Sequence, residues 1–76
     1  MKTLRLCDID IGERATVVDL LCHGSIRRRL MDIGIVKGTV LTCLGKSPLG
    51  DPRAYLVKGA VIALRREDSA SIIVGV

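Results

Sequence analysis

Aromatic side chains are almost missing from this 76-residue chain, which has no Phe, no Trp and one Tyr, Tyr55. One ring cannot build the platform on which single-stranded nucleic-acid binders stack bases. Nor can it line the aromatic groove of a polyproline-binding module. Cysteine is scarce and odd in number: Cys7, Cys22 and Cys43, with no C-x-x-C spacing. That count argues against a disulfide framework and for a reduced, cytoplasmic setting. Long apolar runs are absent too. The longest uncharged stretches, Gly38–Gly45 and Ser69–Val76, have eight residues each, far short of the ~20 that span a bilayer. Lys2, Arg5, Asp8 and Asp10 interrupt the N-terminal region where a signal peptide would need a continuous apolar segment. There is no nucleophile elbow, and the glycines of Gly45–Asp51 lack the Gly-Lys-Ser/Thr ending of a phosphate loop. Asp8 and Asp10 read as members of a solvated turn. The expectation is a non-enzymatic, soluble domain that does not insert into membranes.

What the chain does have is aliphatic bulk. Ten Leu, eight Ile and eight Val make up a third of it, too apolar for disorder and enough for one small core. The whole chain, 1–76, is therefore read as a single domain. Twelve Lys and Arg against eight Asp and Glu leave a net charge of +4. Arg27, Arg28 and Arg29 concentrate that excess, which suits an acidic protein partner, a phosphate-bearing surface or simply a solvated helix face.

The pattern is mostly β. Leu4–Leu6 alternates, Asp10–Glu13 is a turn, and Ala15–Leu21 is a β-branched first long strand. Ser25 is the expected N-cap of one helix. Ile26, Leu30 and Ile33 then fall at i, i+4 and i+7, with Met31 widening the stripe. Gly34 sits where a left-handed C-terminal cap is needed, and Ile35 can pack back on the last turn. Strands are expected over Thr39–Leu44, Ala54–Lys58, Ala60–Leu64 and Ser71–Val74, with a loop at Gly45–Pro52 and a tight helical turn at Arg66–Ala70. Tyr55 and Val57 fall on one face of their strand and Ala54 and Leu56 on the other. The continuous apolar run Ala60–Leu64 reads as fully buried. Five or six short strands with glycine turns imply a small closed or nearly closed barrel with one inserted helix.

Four segments resemble the FeoA family of small bacterial ferrous iron transport proteins: Gly12–Val17, Arg29–Gly38, Pro48–Pro52, and Ala63–Arg65 running on through Ala70, Ile72 and Val74. Each is short, but all four occur in order across nearly the whole chain. The resemblance implies an SH3-like β-barrel, a fold also similar to the C-terminal domain of DtxR-type metal-dependent repressors. The DNA-binding and main metal-binding domains of those repressors are absent from this sequence. It further implies a partner, the FeoB permease with its cytoplasmic GTPase region, and an accessory or regulatory role in ferrous iron uptake. A fold alone would not license that function.

The candidate partner site is the helix: Arg27 and Arg28 on its solvent side, Leu30 and Ile33 facing either the barrel or the partner. Ile33 is the stronger candidate for plugging the barrel, and Leu30 is evenly placed between the two. An exposed edge strand could instead pair with a partner strand or with a second copy in a weak homodimer. Cys22 and His23 are the metal candidates, a thiolate and an imidazole suited to zinc or ferrous iron, and Cys7 and Cys43 could complete a four-ligand set. Neighbours at a strand end tend to point apart, however, and no cofactor is required by the sequence. The alternatives are a stand-alone metal-sensing module and a nucleic-acid-binding barrel. The second is disfavoured because three consecutive arginines splay over roughly 200° of a helix at about 100° per residue.

Overall fold

A computed structural model of the chain describes residues 2–76. Six antiparallel strands form one sheet: β1 (Thr3–Arg5), β2 (Arg14–Leu20), β3 (Val40–Lys46), β4 (Arg53–Val57), β5 (Ala60–Leu64) and β6 (Ile72–Gly75). Their order is β1-β6-β2-β3-β4-β5. Helix α1 (Gly24–Asp32) follows β2, and the one-turn α2 (Arg66–Ser69) links β5 to β6. The sheet curls because one face of every long strand feeds a single core. Val17, Leu41, Tyr55, Val57, Leu64, Ile72 and Val74 meet there, joined by Leu6 and Ile9 from the segment after β1. The lone ring, Tyr55, is fully buried among these aliphatics.

The expected elements are present with shifted ends. β2 begins at Arg14, one residue early, and β3 runs on through Gly45 and Lys46. A register shift between Cys43 and Gly45 absorbs an extra residue, turning Leu44 outward. Alternation in β4 is as read, with Tyr55 and Val57 inside and Leu56 outside.

Two expectations fail. The first is burial of Ala60–Leu64. β5 pairs only with β4, so it is an edge strand; only Leu64 is buried, and Val61 is 67% exposed. An unbroken apolar run does not distinguish a central strand from an edge strand. The second is Ser25 as N-cap. His23 takes that position without a side-chain cap bond, and Gly24 opens the helix at φ +65°. A left-handed glycine lets the chain turn into the helix one residue earlier than a serine cap would.

The helix ends as expected. Gly34 has φ +98°, and its N–H donates to the Met31 carbonyl at 3.0 Å while Ile35 N–H donates to the Leu30 carbonyl at 2.9 Å. These paired bonds close the last turn and place Ile35 against Leu30, both fully buried. Thr39 then ties the helix end to the sheet. Its buried hydroxyl donates to the Gly34 carbonyl at 2.9 Å and accepts from Val36 N–H at 3.3 Å.

Candidate partner-binding surface

Helix α1 has nine residues, below the ~12–15 at which an isolated helix holds in water. It therefore depends on what it touches. Leu30 is its only buried side chain. The stripe read from the sequence is thus divided: Leu30 is 0% exposed, whereas Ile26 is 42%, Met31 44% and Ile33 38% exposed. This corrects the assignment of Leu30 to a partner contact, since it lies in the core and cannot be reached without unpacking the helix. Ile33, expected to be the plug, is instead half exposed at the helix C-terminus. The reason is the glycine cap. Chain reversal at Gly34 sends Ile35 into the core in its place.

The three arginines go to three different places. Arg27 is half buried, not exposed as expected, because its Nη1 donates to the Leu20 carbonyl at the end of β2 at 2.9 Å. Arg29 reaches across to α2 and pairs with Asp68 at 3.2 Å. Asp68 is the more buried partner, with 12% of its side chain exposed. Arg28 alone of the three makes no hydrogen bond or ion pair among the described residues, and it lies open to solvent. It lines a shallow depression with Gly24, Ser25, Arg29 and Asp32. Two of the three guanidinium groups therefore brace the helix, leaving Arg28 as the one outward charge on an element that also exposes parts of Ile26, Met31 and Ile33. Such a surface can steer an acidic partner and offer it modest apolar contact.

Cys22 and His23 do not converge on a metal. Cys22 is half buried and packs against the core, while His23 is exposed at the helix N-cap. Cys7 and Cys43 are both buried elsewhere. Among the described residues no group of three or more His, Cys, Asp or Glu could hold an ion. The thiol of Cys43 faces Arg53 Nη1 at 3.8 Å, and burial, with the adjacent Asp8 carboxylate, pushes the Cys7 thiol pKa up. The raised Cys7 pKa opposes a role for that residue as a metal-bound thiolate. The donor set present does not fit a resident metal.

One structural residue was not legible in the sequence. Arg53 crosses from β4 to donate to the Ile9 carbonyl at 2.6 Å, pinning the segment after β1 to the barrel. It borders a recess of only 10 Å³ with Cys7, Gly50, Asp51, Leu64, Arg66 and Ser69, room for about one water. That is too little for a cofactor. No helix among the described residues is long and apolar enough to cross a membrane.

Comparison with known proteins points one way. The model of the FeoA domain family matches residues 4–76. A Porphyromonas gingivalis protein, the Fe(2+) transport protein A/Fe(2+) transporter FeoB fusion protein, is 35% identical over 69 residues. The match takes in 91% of this chain but 8% of that relative. The solution structure of a FeoA-like protein from Clostridium acetobutylicum is 34% identical, with a TM-score of 0.91 over 100% of this chain and 88% of its own. The zinc complex of FeoA from Stenotrophomonas maltophilia, described as a prokaryotic SH3 domain protein, is 28% identical with a TM-score of 0.83, covering 95% and 89%. T. acidophilum IdeR shares the fold alone, at 18% identity and a TM-score of 0.87 over 100% of this chain and 35% of IdeR.

Proposed function

Because the chain belongs to the FeoA domain family, we propose that it is a non-enzymatic accessory protein of bacterial ferrous iron uptake that binds the cytoplasmic GTPase region of a FeoB-type permease. The observation that carries this reading is the P. gingivalis relative, in which the corresponding domain and FeoB are one polypeptide. Fusion holds two modules at a high effective concentration, a favourable arrangement for two domains that bind each other. The proposed contact is the outer side of α1. Arg28 supplies the encounter charge, and Ile33, with Ile26 on the same flank of the helix and Met31 on the other, supplies the desolvated contact. Arg27 contributes indirectly by holding the helix to β2. The S. maltophilia protein is complexed with zinc, but among the described residues of this chain no cluster of three or more His, Cys, Asp or Glu could hold an ion, so metal binding is not part of the proposal.

The test is a titration of the chain against the soluble cytoplasmic domain of FeoB, with duplex DNA and ferrous iron in parallel. The reading expects saturable binding to the permease domain alone. An Arg28→Glu variant should weaken it about two- to fivefold at low salt, the scale of an exposed charge pair. An Ile33→Asp variant should weaken it by roughly fivefold or more, as for a residue worth over 1 kcal/mol at an interface. Binding to DNA alone, collapsing between low and moderate salt, would overturn the proposal.

A further inference from the structure

Strand β5 is an edge without the usual protection. Natural edge strands are kept short, charged, bulged or interrupted by proline to stop them pairing with another chain. β1, at the other end of the sheet, follows that rule: it has three residues, with Arg5 exposed. β5 does not. Its five residues, Ala-Val-Ile-Ala-Leu, carry no charge and no proline, and its pairing with β4 is regular throughout. No hydrogen bond outside the β4 ladder involves residues 60–64 among the described residues.

The register shows which backbone groups are open. A two-residue turn, Lys58-Gly59, joins β4 to β5 with φ of 49° and 82°, the backbone of a type I′ hairpin. Such a turn closes on a hydrogen-bonded pair, here Val57 and Ala60. Bonded and non-bonded pairs alternate along an antiparallel ladder. Ala60, Ile62 and Leu64 therefore bond to β4, and Val61 and Ala63 turn their N–H and C=O groups to the free edge. The same two residues place their side chains on the outer face, opposite Leu56 and Ala54.

We propose that the β5 edge pairs antiparallel with β5 of a second copy of this chain, about a two-fold axis at Ile62. The strand is self-complementary about that point. Val61 falls opposite the partner's Ala63, and Ala63 opposite the partner's Val61, so that four backbone hydrogen bonds form and each larger side chain meets a smaller one on the outer face. The flanking charges do not oppose this pairing. Lys58 lies along Gly34, its Cδ 3.2 Å from where a Cβ there would sit. Arg66 is drawn to Asp8 at 3.8 Å. Arg65 would face the partner's Gly59. A five-residue edge buries far less than the ~1,200–2,000 Å² of a stable interface, so the dimer is concentration-dependent and in exchange with the monomer.

Analytical ultracentrifugation of the full chain from about 10 µM to 1 mM, alongside amide exchange, tests this directly. The expected result is reversible association that strengthens with concentration and slows exchange at Val61 and Ala63, and that Val61→Lys abolishes. Val61 is exposed, so the variant leaves the core intact, which its unfolding midpoint would verify. A chain that stays monomeric at 1 mM, or association that survives Val61→Lys, would overturn the proposal. So would a monomeric chain whose binding to the permease domain is lost on Val61→Lys, since the edge would then belong to a foreign strand. None of the self-association readouts involves the permease, so failure here is distinct from failure of the α1 reading.

Discussion

Truncating Leu30 and Ile33 in turn separates what holds α1 in place from what the helix presents. The two side chains occupy one stripe, three residues apart, but Leu30 is 0% and Ile33 38% exposed. Leu30→Ala removes a fully enclosed side chain, leaving a cavity beneath a helix with no other buried residue; the cost is about 2–5 kcal/mol. Ile33→Ala trims a side chain already partly in water and opens no closed cavity, costing about 1 kcal/mol from lost apolar burial. A chain of this size has a total stability of about 4–11 kcal/mol at the usual ~0.05–0.15 kcal/mol per residue. Leu30→Ala therefore consumes a large share of it. At about 4–8 °C per kcal/mol, the midpoint should fall by roughly 8 °C or more for Leu30→Ala and by about half that for Ile33→Ala. Thermal unfolding followed by circular dichroism would give both midpoints, and urea unfolding the corresponding free-energy costs. Equal costs, or a larger cost at Ile33, would refute the assignment of Leu30 to the core and Ile33 to the surface.

Thr39→Val keeps shape but removes the hydroxyl that serves both the Gly34 carbonyl and Val36 N–H; we expect a loss of about 1–3 kcal/mol from groups left unpaired, read as a lower urea midpoint at unchanged m-value. Stability should also fall at alkaline pH. Burial raises the titration of both the Cys7 thiol and the Tyr55 phenol, so the unfolded chain gives up these protons first. Their contribution is fully present below about pH 8.5, where a free thiol begins to titrate, and is lost as pH rises through the higher folded-state values. Unfolding midpoints from pH 7 to 10.5 would show the decline, and Cys7→Ala should flatten its first part.

Local chemistry made much of the barrel readable. Glycine before a β-branched or buried residue marked the helix cap at Gly34, and the period of two in β4 sorted Tyr55 and Val57 from Leu56 because side chains alternate across a strand. What the sequence could not show was which elements are neighbours. Ala60–Leu64 looks central by composition and is an edge by topology, since nothing in five apolar residues encodes the missing partner strand. The helix stripe met the same limit. Periodicity placed Ile26, Leu30 and Ile33 on one face, but the depth of each depends on how far the barrel wall extends beneath the helix. The arginine run likewise read as one patch and proved to be two braces and one free charge, because the Leu20 carbonyl and Asp68 are distant or unmarked in sequence.

Whether α1 is the docking surface is tested by residue-level mapping of the isotopically labelled chain as the unlabelled cytoplasmic domain of a FeoB-type permease is added. Saturable chemical-shift changes are expected at Ile26, Arg28, Met31 and Ile33, with the face formed by β2 and β6 unchanged. Changes confined to surfaces away from α1, or no changes at saturating permease domain, would contradict α1 as that surface.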